Sequence, residues 1–167
     1  MKIFSITCVN NTSFLIKKYE REGWKMKEEN IEYIKHYRYM TQEERVYLMS
    51  LKDRALRKGI TFANHALDRM DERWIKEKDV MKTIKKGQIM EYKKTNNDEI
   101  LTIRGTSINK KNEQIYVILS IRSCKVITTY SNKYWIAQNK SSELDKYTND
   151  KKIQIPEFFR RKFALYY

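Results

Sequence analysis

The stretch that runs from Gly87 to Ser131 reads GQIMEYKKTNNDEILTIRGTSINKKNEQIYVILSIRSCKVITTYS. Apolar and polar side chains alternate along most of it, which is the period of a half-buried β-strand. Four segments carry this pattern: Gln88 to Lys93, Ile100 to Ile108, Gln114 to Arg122, and Lys125 to Ser131. Short polar runs and a tight turn near Ser123 separate them, so we predict that the strands form an antiparallel meander.

Two short helices are predicted immediately before this meander. Asn64 is a preferred N-cap residue, and apolar residues at helical spacing follow it as far as Arg73. A second helical pattern runs from about Lys78 to Lys86 and stops at Gly87. We expect both helices to pack on one face of the sheet and the opposite strand face to be solvated. The expected fold class is therefore α+β, with two short helices on a four-stranded antiparallel meander.

The segments on either side of this core have helical patterns of their own. Before residue 60 we predict three helices: one from Thr12 and Ser13 to Gly23, one from Glu28 to Tyr39, and one from a capping box at residues 41–44 to Gly59. After residue 133 a polar linker precedes an amphipathic helix that begins near Pro156. The predicted organisation is an N-terminal helical segment (1–59), an α+β domain (60–133), and a linker with a C-terminal helix (134–167).

The charge of the chain points to a polyanionic partner. Lys and Arg number 35 and Asp and Glu number 21, which gives a net charge of +14. The excess of positive charge is +5 over residues 1–59, +6 over 60–133 and +3 over 134–167, so it is not confined to one tail. Such an excess favours binding to RNA or to a ribonucleoprotein, with an anionic membrane as the second choice.

Composition also narrows the compartment and the cofactors. No run approaches the roughly 18 consecutive apolar residues that span a bilayer. The two cysteines, Cys8 and Cys124, cannot build a disulfide framework, and the two histidines, His36 and His65, have no partner at metal-ligand spacing. We therefore expect a cytoplasmic protein that needs neither a metal nor another cofactor and does not insert into a membrane.

The predicted helix after Asn64 carries a stripe of groups suited to a phosphodiester. His65, Arg69 and Arg73 lie four residues apart, so they share one side of a helix. An imidazole can move a proton near neutral pH, and guanidinium groups bind phosphate oxygens through two parallel hydrogen bonds. The strands add Arg104, Arg122, Thr128 and Tyr130 as further polar candidates.

The string Phe-x-x-His-Ala-x-x-Arg-Met-x-x-Arg-x-Ile, which begins at Phe62, resembles a widespread bacterial and phage family of unknown function. A short helix, Gly87 and strands that end in Val126-Ile127-Thr128-Thr129-Tyr130 extend the resemblance over about 70 residues. The same region is distantly similar to BrnT and RelE-type ribonuclease toxins.

The resemblance to these toxins implies cleavage of RNA without a metal. The 2′-hydroxyl would attack the adjacent phosphate, with His65 as general base or acid, and leave a 2′,3′-cyclic phosphate. The implied catalytic residues are His65, Arg69, Arg104 and Tyr130. The implied RNA-binding residues are Arg73, Lys82, Lys85, Lys86, Arg122 and Thr128. The sheet of this chain lacks a histidine and an acidic partner for His65, so the set departs from a complete catalytic constellation.

Structural interpretations of the same residues remain open at this point. A histidine in the first turn of a helix often binds a backbone carbonyl, and Arg69 and Arg73 could form surface ion pairs with Asp68, Asp71 or Glu72. Thr128 and Tyr130 are also good strand formers.

Two non-catalytic functions are alternatives to the ribonuclease. One is a phage or mobile-element protein that inhibits a host or defence ribonucleoprotein by binding its RNA or protein surface. The other is a toxin-like scaffold whose basic face is covered by an acidic protein partner. The sequence does not predict an oligomeric state.

Overall fold

The structure is a computed structural model, and it describes residues 31–108, 113–131, 148 and 150–164. Six strands form one mixed sheet: β1 (Ile31–His36), β2 (Thr61–Phe62), β3 (Gln88–Thr95), β4 (Glu99–Ile108), β5 (Gln114–Ser120) and β6 (Lys125–Ser131). Their order across the sheet is β1-β3-β4-β5-β6-β2. Every neighbouring pair is antiparallel except β2 and β6, which run parallel. The predicted α+β class and the β3–β6 meander are confirmed.

Among the described residues, four α-helices accompany the sheet: α1 (Gln42–Lys58), α2 (Asn64–Glu72), α3 (Glu77–Lys86) and α4 (Glu157–Ala164). The first three pack on one face, where α1 contacts β3 and α3, α3 contacts β4 and β5, and α2 contacts β6. One detail at α2 differs from expectation. Its N-cap is Ala63, which makes no side-chain cap, and Asn64 is the first helical residue.

The predicted helix from Glu28 to Tyr39 is wrong over its described part. Residues 31–36 form strand β1, and a short 3₁₀ turn follows at Tyr37–Tyr39. The strand pairs with β3, and its alternate residues Tyr33 and Lys35 are buried. Ile31 and Ile34 lie three apart, which is a helical spacing, but pairing with the edge of β3 imposes the two-residue period of a strand. The predicted helix up to Gly23, Cys8 and most of the predicted linker lie outside the described residues.

The core lies between the three helices and the facing side of the sheet. Its fully buried members include Leu48 and Leu51 from α1, Val80 and Ile84 from α3, and the strand residues Leu101, Ile103, Val117 and Leu119. Burial of each such side chain stabilises the folded state by roughly 1.5–3 kcal/mol. The alternation predicted for the strands therefore places their apolar side chains against the helices.

The C-terminal segment docks on this same core. Ile153 and Ile155 are buried, and the Phe159 ring of α4 meets the Tyr47 ring of α1 edge to face, with centroids 5.2 Å apart. The predicted C-terminal helix is confirmed, and Pro156 lies just before its first residue. Within the described ranges, no helix is long and apolar enough to cross a bilayer.

A buried carboxylate joins three parts of the chain. Glu44 accepts two hydrogen bonds of 2.9 Å from Lys35 Nζ on β1. Its Oε2 also accepts from the Thr41 backbone N–H, while Thr41 Oγ1 accepts from the Glu44 N–H, which confirms the predicted capping box. Its Oε1 accepts from the backbone N–H of Ile153 at 2.8 Å. Glu44 thus holds β1, the start of α1 and the C-terminal segment together.

Replacing Glu44 with Gln or Ala should destabilise the fold by about 3–5 kcal/mol, because either change leaves the Lys35 ammonium buried without a counter-ion. Chemical denaturation measures this loss. The control is Glu43→Gln, whose partner Arg160 lies 3.7 Å away at the surface, so it should cost less than about 1 kcal/mol. Equal losses for the two variants would contradict the role of Glu44.

The same carboxylate should contribute to acid sensitivity. Burial by itself raises the pKa of Glu44, but the hydrogen bonds from Lys35, Ile153 and Thr41 outweigh it and lower the pKa below the ordinary value. The unfolded carboxyl then binds a proton more readily than the folded one. The contribution of Glu44 to the free energy of unfolding is therefore present above the ordinary glutamate pKa and is lost as pH falls through the lowered value.

Helix α3 approaches β4 so closely that the strand needs a glycine there. A Cβ on Gly105 would overlap Thr83 Oγ1 and lie 2.8 Å from Thr83 Cγ2. Thr83 itself is buried. The close approach brings Val80 and Ile84 of α3 against the apolar side of the sheet.

Gly105→Ala should therefore destabilise the protein by about 1–3 kcal/mol through overpacking. Adding Thr83→Ala removes the two nearest atoms and should recover part of the loss. Thermal denaturation of the single and double variants measures the coupling. A double variant with the summed losses of the two single variants would contradict the contact.

Candidate nucleic-acid interface

Helix α2 places three of the predicted site residues side by side. His65, Arg69 and Arg73 lie at successive turns and are all half-buried, while Ala66 and Met70 of the same helix pack into the core. The helix is anchored at its start because the Ala63 backbone N–H donates to the Val126 carbonyl of β6 at 2.9 Å. The predicted stripe is present for His65 and Arg69 on the helix, and Arg73 follows as its C-cap residue.

The charges around His65 favour its neutral form. Burial is the largest cause that lowers its pKa, and the nearby guanidinium groups of Arg69 and Arg73 lower it further. The carboxylates of Asp68 and Glu72 act in the opposite direction without cancelling these effects. A neutral imidazole accepts a proton, so at neutral pH this side chain is better suited to general-base than to general-acid chemistry.

The two arginines of the stripe also have structural roles. Arg69 Nη1 lies 2.5 Å from Glu72 Oε2, so the predicted surface ion pair is present for this residue. Arg73 instead donates from Nη1 to the backbone carbonyl of Thr129 on β6. That bond ties the end of α2 to the sheet. Both guanidinium groups are therefore held in fixed positions beside His65.

Arg104 and Tyr130 occupy the other face of the sheet. They alternate with Ile103 and Thr129, which are fully buried on the helix side. Arg104 Nη2 donates to Gln88 Oε1 at 2.8 Å, and Arg104 also hydrogen-bonds the Tyr116 hydroxyl. The structure divides the predicted catalytic set between α2 and this second face.

The second face is packed rather than solvated, contrary to expectation. The rings of Tyr116 and Tyr130 are stacked, with centroids 5.4 Å apart and planes 7° from parallel. Their residues are 4% and 8% exposed, and Met90 is buried with them. Burial raises the pKa of Tyr116, and Arg104 opposes the shift. Thr128 shares this face and is half-buried.

The remaining predicted RNA-binding residues lie at the surface. Lys82, Lys85 and Lys86 are exposed on α3, the last two in its final turn. Arg122 is exposed in the turn between β5 and β6, where its backbone N–H donates to Asp98 Oδ1 at 3.0 Å and its Nη1 donates to the Asn97 carbonyl at 2.8 Å. The α3 lysines point away from the core and are accessible to a polyanion.

Trp74 is a candidate that the sequence analysis missed. It follows Arg73 at the end of α2, is 59% exposed, and has a φ of 58°, a left-handed conformation that is unusual for a bulky residue. An exposed indole can stack on an unpaired base. The sequence shows only a tryptophan after an arginine. The exposure of its ring and its backbone conformation become evident only in the structure.

Residues 62–131 match a family model described as "Domain of unknown function (DUF4258)". The matched region spans α2, α3 and the whole β3–β6 meander, so the resemblance to a family of unknown function is confirmed there. The match does not extend to the ribonuclease toxins. No curated protein and no solved structure matches the chain significantly. In the described part of the chain, no group of three His, Cys, Asp or Glu side chains could hold a metal ion.

The pKa of His65 can be measured directly, because the chain has two histidines and His36→Ala assigns the remaining signal. A proton NMR titration should give His65 a pKa below 6.5. Glu72→Gln should lower it further, since the carboxylate of Glu72 raises it. An unshifted value, or a rise in Glu72→Gln, would contradict the described surroundings.

Proposed function

We propose that this protein binds RNA through α2 and α3 and cleaves it without a metal, with His65 as the general base. The observation that carries the proposal is the half-buried imidazole of His65 beside two guanidinium groups, with its pKa lowered. The distant resemblance to RelE-type toxins supports the reaction type. The match to a family of unknown function supports only the domain.

In this reaction His65 takes the proton of a ribose 2′-hydroxyl. The 2′-oxygen then bonds to the adjacent phosphorus, the bond from phosphorus to the 5′-oxygen breaks, and water protonates the leaving oxygen. The products are a 2′,3′-cyclic phosphate and a 5′-hydroxyl end. Arg69, held beside His65, would stabilise the charge that develops on the phosphate oxygens.

Exposed groups outside the His65 stripe would supply the binding energy. Lys82, Lys85 and Lys86 on α3 would contact backbone phosphates, which gives affinity without sequence preference. The exposed Trp74 indole would stack on one base, a contact that contributes roughly 1–3 kcal/mol. RNA as the substrate implies a cytoplasmic location.

A second candidate is a non-catalytic protein, of phage or mobile-element type, that blocks a host or defence ribonucleoprotein. Two observations favour it. Arg73 donates to the Thr129 carbonyl and Arg69 pairs with Glu72, which leaves fewer guanidinium donors for a phosphate. Arg104 and Tyr130 also lie on the second face, away from the side of the sheet on which α2 packs.

Purified protein incubated with transfer RNA in EDTA tests the proposal. Wild type should produce 2′,3′-cyclic phosphate ends, and His65→Ala should lose about 100-fold or more in rate. His36→Ala is the matched control and should retain activity. The rate should rise with pH through a pKa below 6.5 and then level off, because His65 must be unprotonated to act as the base.

Intact RNA together with retained binding would contradict the proposed ribonuclease activity and favour the non-catalytic inhibitor. Cleavage that survives His65→Ala would assign the reaction to other residues. Cleavage lost equally in His36→Ala would indicate a general loss of folding, which circular dichroism of each variant checks.

A further inference from the structure

A cavity of about 410 Å³ lies where the β3–β4 loop meets the β5–β6 turn. The C-terminal half of α1 forms its third wall. Ala55, Ile121 and Cys124 are buried and line its inner end. Its volume falls within the range of about 300–1,000 Å³ that is typical of small-molecule sites. None of the α2 residues lines it.

Four cationic side chains from these three elements surround the cavity. Arg54 and Lys58 lie one turn apart on α1, Lys94 comes from β3, and Arg122 from the turn. Across the described ranges, the side chains of Arg54, Lys58 and Lys94 donate no hydrogen bond and form no ion pair. Three cations therefore converge on one space without an anionic partner.

The two carboxylates in the lining are already engaged within the protein. Asp98 accepts from the backbone N–H groups of Glu99 at 2.7 Å and Arg122 at 3.0 Å, and from the Ser120 hydroxyl. Glu99 accepts from the Tyr92 hydroxyl at 2.8 Å. The four cations and two carboxylates of the lining leave an excess of two positive charges. The hydrogen-bond donors that remain for a ligand belong to cationic side chains.

We propose that this cavity binds a phosphomonoester. Such a group carries close to two negative charges and three acceptor oxygens near neutral pH, which matches the excess charge and the donors from three directions. The cavity opens to solvent on one side and ends on buried residues on the other, which suits a terminal group better than the middle of a continuous chain. The ligand is a nucleoside monophosphate or the 5′-phosphate of an RNA, which present the same chemistry.

This site does not rest on RNA cleavage, because it uses neither His65 nor any other residue of α2. Arg122 already donates from Nη1 to the Asn97 carbonyl, which fixes its guanidinium group at the rim. The cavity depends instead on the placement of α1 against the β3–β4 loop.

Calorimetric titration of the full chain tests the proposal. The probes are inorganic phosphate, 5′-nucleoside monophosphates, and a short 2′-O-methyl oligonucleotide with either a 5′-phosphate or a 5′-hydroxyl. The 2′-O-methyl groups remove the nucleophile, so cleavage cannot interfere. The 5′-phosphate form should bind about tenfold or more tightly than the 5′-hydroxyl form.

The variant pair Arg54→Gln with Lys58→Gln should remove this preference. The control pair is Arg57→Gln with Lys151→Gln, which removes the same charge from exposed positions outside the cavity and should preserve it. Circular dichroism should show both pairs folded. His65→Ala should leave the preference unchanged, so this test and the cleavage test can fail separately.

If nucleoside monophosphates bind as tightly as the phosphorylated oligonucleotide, a free nucleotide is the ligand. If only the oligonucleotide binds, the ligand is an RNA end. Equal binding of the two oligonucleotide forms, failure of every phosphate-bearing probe to bind, or equal effects of the two variant pairs would overturn the proposal.

Discussion

The buried ion pair between Lys35 and Glu44 is the constraint on which the arrangement of this protein depends. Both side chains are only 4% exposed, so each charge relies on the other and on the backbone donors around Glu44. The pair attaches the edge strand β1 to the first turn of α1 and fixes the start of that helix. Because a helix is stiff, the position of its first turn also sets its last turns, which carry Arg54 and Lys58 to the cavity.

Acidic side chains of this protein bind both cations and neutral donors of the fold. Several carboxylates bind groups within the protein: Glu44, Glu72, Glu91, Asp98 and Glu99. Many lysines, including those on α3, remain exposed. The net charge of +14 and these exposed lysines together attract a polyanion. This excess of positive charge supports both the RNA proposal and the phosphate cavity.

The sequence predicts the parts of this structure that depend on local signals. The alternation in the meander and the capping box at Thr41 were sufficient to locate β3 to β6 and α1. Strand β1 is missed because Ile31 and Ile34 have the spacing of a helix, whereas pairing with β3, which lies more than 50 residues away along the chain, imposes a strand. The bond from Arg73 to the Thr129 carbonyl is missed for the same reason, and so is the cavity. Their atoms come from distant segments, so spacing along the chain could not reveal them.

The central claim is that RNA is held by phosphate contacts on α3. Its most direct test is the salt dependence of single-stranded RNA binding, compared between wild type and a variant with Gln at Lys82, Lys85 and Lys86. Each lost phosphate contact should reduce the slope of log affinity against log salt by about 0.7, so the variant should lose about 2. Gln at the exposed Lys151, Lys152 and Lys162 should leave the slope unchanged. Equal slopes for all three proteins, or equal losses in both variants, would contradict the claim.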